Sequence, residues 1–321
     1  MQRDWQPTAP INNLAKRADI LSKIRSFFSE RGVLEVDTPV LSRAATTDPF
    51  LHSIEARTHA VDGAKEETLY LQTSPEFAMK RLLAAGSGSI YQICKSFRDG
   101  ELGRHHHPEF TMLEWYRLGF DHHALMDEMD DLLQFVLPFK RARRFSYQAV
   151  FQKILGIDPH TVSLEALQQA VEAQQISVSD AVDRTDQDVY LQLLMSEVIE
   201  PQLTGVVFIY DYPVSQAALS QIREGAPSVA ERFEVYIDGV ELANGFHELA
   251  DANEQRKRFE SDLEKRKQCG YPIVPMDELF LASLAHGFPE CAGVALGIDR
   301  LVMIALSEKH IEKVISFWDR V

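Results

Sequence analysis

The sequence predicts an α+β fold, a largely antiparallel sheet flanked by helices, on three observations. Two hairpin-type turn dipeptides, Asp62-Gly63 and Asp238-Gly239, each sit between runs of strand composition. Strand-rich and helix-rich stretches come in separate blocks, which argues against a doubly wound parallel sheet. The glycine-rich stretch Gly86 to Ser89 has no Lys-Ser/Thr after it and no strand–helix unit around it, so it reads as a turn and not as a phosphate loop.

In chain order, a helix begins near Asn13 with Leu14, Ala18, Leu21, Ile24 and Phe28 on one face, and Gly32 is a fitting stop. Val33 to Leu41 reads as a short strand broken at Pro39. Leu51 to Val61 and Thr68 to Gln72 read as the two arms of the first hairpin. A helix follows from Pro75 to Ala85, with proline in its first turn. Strands are expected over Ile90 to Arg98 and Glu109 to Tyr116, joined by a loop rich in histidine. Asp121 to about Gln202 is mostly helical apart from the stretch Pro138 to Phe145. A second strand-rich block starts at Val206 and holds the Asp238-Gly239 hairpin. A charged helix over Asp251 to Gln268 and a last helix from Asp299 complete the chain, with no internal repeat.

The 321 residues, 45% of them hydrophobic, suffice for one large domain or two modest ones. With 33 basic and 48 acidic residues the net charge is −15, which argues against a surface devoted to nucleic acid or anionic membrane. A local basic cleft for a phosphate ligand stays open. No apolar run approaches the roughly 20 residues needed to span a bilayer, so no membrane association is expected. Cys94, Cys269 and Cys291 are far apart and form no C-x-x-C pair, which fits packed thiols in a reducing cytoplasm. The basic cluster at Lys140 to Arg144 reads as a solvated linker on so acidic a chain, and no G-x-S-x-G elbow is present.

The consecutive histidines His105, His106 and His107 invite a metal reading, but adjacent residues of an extended segment face opposite sides and cannot all reach one ion. His105 and His107 with Glu109 could supply some ligands. The flanking arginines say more. Arg98 ends one expected strand and Arg104 lies in the loop before the next, and two guanidiniums held over a sheet form a clamp for a polyphosphate. His106 and His107 read as loop surface, and His105 as a hydrogen-bond donor in a phosphate loop.

Phe97-Arg98, a loop, then Arg104-His105, Pro108-Glu109-Phe110-Thr111 and Glu114 resemble motif 2 of class II aminoacyl-tRNA synthetases in its lysyl form, over about 97–116. Arg31 to Leu41 is similar to motif 1, the dimer-forming element. Gly293 to Met303 is similar to motif 3, with Arg300 in the arginine position. Arg232 to Leu249 resembles the lysyl enzymes' metal and amino-acid segment, and Thr73 to Leu83 their amino-acid loop. The five matches run in order along the whole chain. The chain therefore resembles one class II catalytic domain over 1–321, with a helical insertion over about 121–202. Motif 1 falls within the first forty residues, so no N-terminal OB-fold is expected, nor anticodon recognition. That pattern is similar to the family of short lysyl-tRNA synthetase paralogues that modify elongation factor P.

The resemblance implies ATP and Mg2+ as cofactors, (R)-β-lysine or lysine as substrate, elongation factor P as partner, a homodimer and a cytoplasmic location. It implies that Arg98 holds the α-phosphate and the substrate carboxylate, while Arg104 and Arg300 hold the distal phosphates. Glu101, His105, Phe110, Glu241 and Gly297 join the ATP site, and Glu234 and Glu241 carry magnesium, which favours oxygen ligands. Ser74, Pro75, Glu76, Glu114, Tyr116, Asn244, Glu248 and Ala295 line the amino-acid pocket. The acids suit a diamino acid, whose buried ammonium groups need carboxylate partners. A solvated face is the bland alternative for any one of these acids, since Asp and Glu total 48. Asp99-Gly100-Glu101 stands where the family has Asn-Glu, His107 where it has Asn, and Ala295 where the tRNA enzymes have Gly. Charging of tRNA, release of free lysyl-adenylate and an inactive regulatory role are the competing functions.

Overall fold

The computed structural model describes residues 5–59, 66–179 and 183–318. The chain divides into two compact units, one of 1–119 with 249–321 and one of 120–248.

The first unit opens with helix α1 (Ile11–Glu30). Its buried stripe Ile20, Ile24, Phe27 and Phe28 follows helical spacing, and Gly32, at φ +64°, takes the left-handed turn that ends it. The strand expected at Val33–Leu41 is instead two short pieces, β1 (Leu34–Glu35) and β2 (Leu41–Ser42), with Pro39 between them. Proline has no N–H for a ladder, and the two pieces join different sheets. β2, β3 (Glu55–Thr58) and β4 (Glu67–Leu71) form a small antiparallel sheet with β4 in the middle. The paired arms are those of the expected hairpin; its Asp62-Gly63 turn lies outside the described residues. Helix α2 (Glu76–Ala84) and the strands β5 (Ile90–Phe97) and β6 (Glu109–Leu118) follow. β1 pairs with β5 in parallel, and β5 with β6 antiparallel.

The second unit starts with α3 (His122–Val136), capped by Asp121, whose side chain accepts from the Ala124 amide at 2.8 Å. β7 (Arg143–Ser146), α4 (Tyr147–Leu155), α5 (Leu164–Ala173) and α6 (Gln187–Leu194) come next. The basic cluster is ion-paired on the surface: Arg144 meets Asp127 at 2.7 Å, and Arg141 meets Asp130 at 3.6 Å. β8 (Val206–Tyr212), β9 (Ile222–Arg223), β10 (Val229–Ile237) and β11 (Val240–His247) complete the unit. β8, β9 and β11 run antiparallel to β10, and β7 runs parallel to β8. The β10–β11 turn holds Asp238 at φ +48° and Gly239 at φ +79°. A Cβ on Gly239 would lie 2.7 Å from the Glu200 carbonyl oxygen, so glycine is required there. Tyr147, Phe151, Leu167, Leu191, Leu194 and Ile209 form the unit's core.

The chain then returns to the first unit through α7 (Ala252–Gln268), α8 (Glu278–Gly287), β12 (Cys291–Gly297) and α9 (Ile298–Leu306). α8 is absent from the sequence expectation. It is held against α2 by the stacked rings of Phe77 and Phe280, 4.7 Å apart. β12 lies antiparallel to β6, so a β5–β6–β12 sheet forms the floor of this unit. Phe28 stacks on Tyr91 at 4.5 Å and meets Trp115 edge-on at 5.3 Å, which places α1 against one face of that floor. Burying a ring of that size contributes about 1.5–3 kcal/mol. Alternation then commits Gln92, Glu114 and Ala295 to the opposite face.

Candidate active site

On that opposite face Glu114 of β6 stands directly across from Gln92 of β5 and Ala295 of β12. Glu114 is buried, and its two oxygens accept from Tyr116 Oη at 2.6 Å and Ser74 Oγ at 2.7 Å. Tyr116 is two residues along the same strand, on the same face. Ser74 also accepts from the Glu76 amide at 3.0 Å, so one hydroxyl both fixes the start of α2 and orients Glu114. Burial, and then the neighbouring Glu76 charge, push the Glu114 carboxyl up to about 7. Glu76 itself holds the fully buried Lys80 one turn along α2, at 2.6 Å. Pro75 precedes that helix in the N-cap position. Ala295 and Gly297 are half-buried, open toward this face.

At the far end of β5 and β6 the guanidinium of Arg98 lies 5.1 Å from the centre of the Phe110 ring and 3.4 Å from Glu101. Its Nε is buried and has no hydrogen-bond partner among the described residues, a donor suited to an incoming phosphate or carboxylate oxygen. Arg104 is exposed, and its carbonyl is tied to the Ile311 amide at 2.9 Å. Arg300, in the first turn of α9, donates to His106 Nε2 at 2.7 Å and to the His105 carbonyl at 3.5 Å. Burial, then the Arg104 and Arg300 charges, hold the His105 imidazole below its ordinary range. His107 is a correction to the loop-surface expectation. It is buried, with ring nitrogens 2.7 Å from the Glu109 carbonyl and 3.2 Å from that of Trp318.

The second unit carries the remaining residues on its β10–β11 hairpin. Glu234 pairs with Asn244 across the ladder, and Tyr236 with Glu241, with a bulge between. That register puts Arg232, Glu234, Tyr236, Glu241 and Asn244 on one face. Glu234 is buried and accepts from Tyr212 Oη at 2.7 Å, from Tyr236 Oη, and from Arg232. Arg232 also donates to Asn244 Oδ1 at 3.2 Å, with its guanidinium 4.7 Å from the centre of the Tyr212 ring. Burial pushes the Tyr212 and Tyr236 hydroxyls far up, so both stay donors. Glu234 and Glu241 offer oxygen donors on one face, the type magnesium takes together with substrate phosphates, and Glu234 would have to share its oxygens with Arg232, Tyr212 and Tyr236. Glu248 is buried at the end of β11, where its carbonyl accepts from Gln221 at 3.0 Å.

Sequence reasoning missed Asp299, His106 and Arg232. Asp299 is buried, 2.5 Å from Arg17 of α1, and accepts from the Thr111 amide at 2.7 Å. It thereby fixes the strand–helix junction that presents Arg300. Its place beside Arg300 in the Gly297-Ile298-Asp299-Arg300 run was the available signal.

Known proteins resemble the chain over nearly its whole length. The model for "tRNA synthetases class II (D, K and N)" matches residues 4–320. A Vibrio cholerae serotype O1 protein named elongation factor P--(R)-beta-lysine ligase is 54% identical over 317 residues, covering 98% of this chain and 97% of its own. Proteins of the same name from Vibrio atlanticus (53%, covering 99% and 98%) and Edwardsiella ictaluri (54%, covering 98% and 97%) are equally similar. The chain therefore belongs to the class II tRNA synthetase family of the D, K and N type, within the branch of the elongation factor P--(R)-beta-lysine ligases.

Proposed function

We propose that the chain uses ATP to activate (R)-β-lysine, or lysine, as an aminoacyl-adenylate and passes the acyl group to a lysine side chain of elongation factor P. The observation that carries this reading is Glu114, a buried carboxylate held by Ser74 and Tyr116 on the face that carries Ala295. A buried acid in that setting suits an ammonium group. The relatives' shared name supplies the amino acid and the acceptor protein.

In the first step a carboxylate oxygen of the amino acid attacks the α-phosphorus. An acyl–phosphate bond forms, the α–β anhydride bond breaks, and pyrophosphate leaves. Arg98 aligns the α-phosphate with the carboxylate, and Arg104 and Arg300 neutralise the departing phosphates; alignment and charge neutralisation account for most of such catalysis. Magnesium held by Glu234 and Glu241 would add positive charge at the phosphates when bound. In the second step the neutral amine of the acceptor lysine attacks the acyl carbon. An amide forms, AMP leaves, and the amine loses a proton. Glu114, Tyr116, Ser74, Asn244 and Glu248 bind the diamino acid in this scheme.

The chain works as a cytoplasmic homodimer in this reading, supported by the motif 1 resemblance. No helix among the described residues is long and apolar enough to cross a membrane. ATP–pyrophosphate exchange with a panel of diamino acids, followed by mass spectrometry of elongation factor P, tests the proposal. Exchange with (R)-β-lysine and a β-lysyl mass increment on the factor are expected; exchange with neither lysine isomer would sink it.

A further inference from the structure

Within the second unit, away from the hairpin residues discussed above, His122 and His123 open α3 and face Asp211 of β8. A ring nitrogen of each histidine and a carboxylate oxygen of Asp211 all lie within 4.8 Å of one another. We propose that these three side chains are a binding site for a divalent d-block cation of the zinc class, which would clip the start of α3 to β8.

Two imidazoles and a carboxylate are the donor set that zinc takes, and three protein ligands leave a fourth position for water. The one exact separation supports the match. His122 Nε2 and Asp211 Oδ1 are 3.3 Å apart, beyond the usual span of a hydrogen bond. It is about the 3.3 Å edge of a tetrahedron whose ligands sit ~2.0–2.1 Å from a zinc ion. His122 is buried, and its Nδ1 has no hydrogen-bond partner among the described residues. The His122 and His123 rings are 4.1 Å apart, and the edge-on ring of Tyr210, 5.2 Å away, fixes the orientation of His123.

Among the described residues Asp211, unlike His122, has partners beyond the three ligands. The second oxygen of Asp211 accepts from Arg223 at 2.6 Å, and Arg223 reaches Glu231 at 3.1 Å. This is the outer hydrogen bonding that orients a ligating carboxylate while leaving its other oxygen available. Asp121, Asp211 and Glu231 are the acids nearby, with Arg223 on Asp211 and Glu231 and His247 on Glu231. Asp121 also offsets the positive end of α3. Asp211 sits at φ +59°, in the left-handed region where a non-glycine residue is strained. Such backbone strain clusters at ligand sites.

The test uses the full chain stripped of metal with a chelator, titrated with Zn2+ by calorimetry in excess Mg2+. One equivalent should bind with a Kd in the micromolar range or tighter, and the melting temperature should rise. His123→Ala, at an exposed position, and Asp211→Asn, which keeps shape and tolerates the left-handed backbone, should each weaken binding at least about tenfold. Each should also remove the thermal shift. No saturable uptake of one equivalent by the parent chain overturns the proposal. So does parent-like binding by both variants, or uptake that is lost in His105→Ala/His106→Ala but kept in His123→Ala.

Discussion

Arg300 donates to His106 Nε2 across 2.7 Å, joining the C-terminal strand–helix junction to the loop between β5 and β6. The bond requires His106 to be neutral, and burial, then the Arg300 charge, lower its affinity for a proton. The loop thus holds the guanidinium through a neutral acceptor. Arg300→Ala should reduce ATP–pyrophosphate exchange by about 10²–10³-fold with fold and oligomeric state kept. Near-normal exchange in a folded variant would remove Arg300 from catalysis.

Glu114 sets a pH dependence. Its carboxyl is raised from 4.5 to about 7, so the folded protein holds a proton that the unfolded chain releases above 4.5. This group's contribution to stability is therefore fully present below 4.5 and is lost as pH rises to about 7. Binding an ammonium group favours the ionised acid, so the KM for the diamino acid should fall between pH 6 and 8, with proton release on binding. In Glu114→Gln that pH dependence should vanish while ATP binding persists. A KM that stays flat with pH in the parent enzyme would show that Glu114 does not meet the amine.

Ala295 places a methyl group directly across from Glu114. An α-amino group approaching Glu114 would meet that methyl, whereas β-lysine carries its amine one carbon further along. Ala295→Gly should raise kcat/KM for α-lysine by roughly 10- to 200-fold, the range a methyl-sized contact allows, with little gain for (R)-β-lysine. Equal changes for both would reduce Ala295 to strand packing.

Asp299 bonds both α1 and β6, and removing one partner of a buried ion pair costs about 3–5 kcal/mol. Asp299→Ala should lower the denaturation midpoint accordingly. A change below about 1 kcal/mol would mean that Arg17 and Thr111 find other partners.

The hairpins and strands that carry these residues were legible in the sequence because strand composition and turn chemistry act locally. Asp238-Gly239 announced its hairpin, whereas Glu114 and Tyr116 were named from the family resemblance. Contacts between distant segments were hidden. Asp299 meets Arg17 across 282 positions, and nothing local to either residue declares it. His107 looked like loop surface because its two carbonyl partners are backbone groups that any sequence would supply. α8 went unread because its apolar residues pack against α2 and show no clear stripe.

The bulge in the β10–β11 ladder has an evolutionary consequence. Glu241 and Asn244 are three residues apart yet share a face, which simple alternation forbids; the extra residue at Leu242 restores the phase. Exchange of Leu242 for another apolar residue leaves that phase intact, but loss of a single residue there turns Glu241 to the opposite face. Length conservation of this hairpin, with apolar exchange tolerated at Leu242, is the mark by which selection on Glu234 and Glu241 together would be recognised.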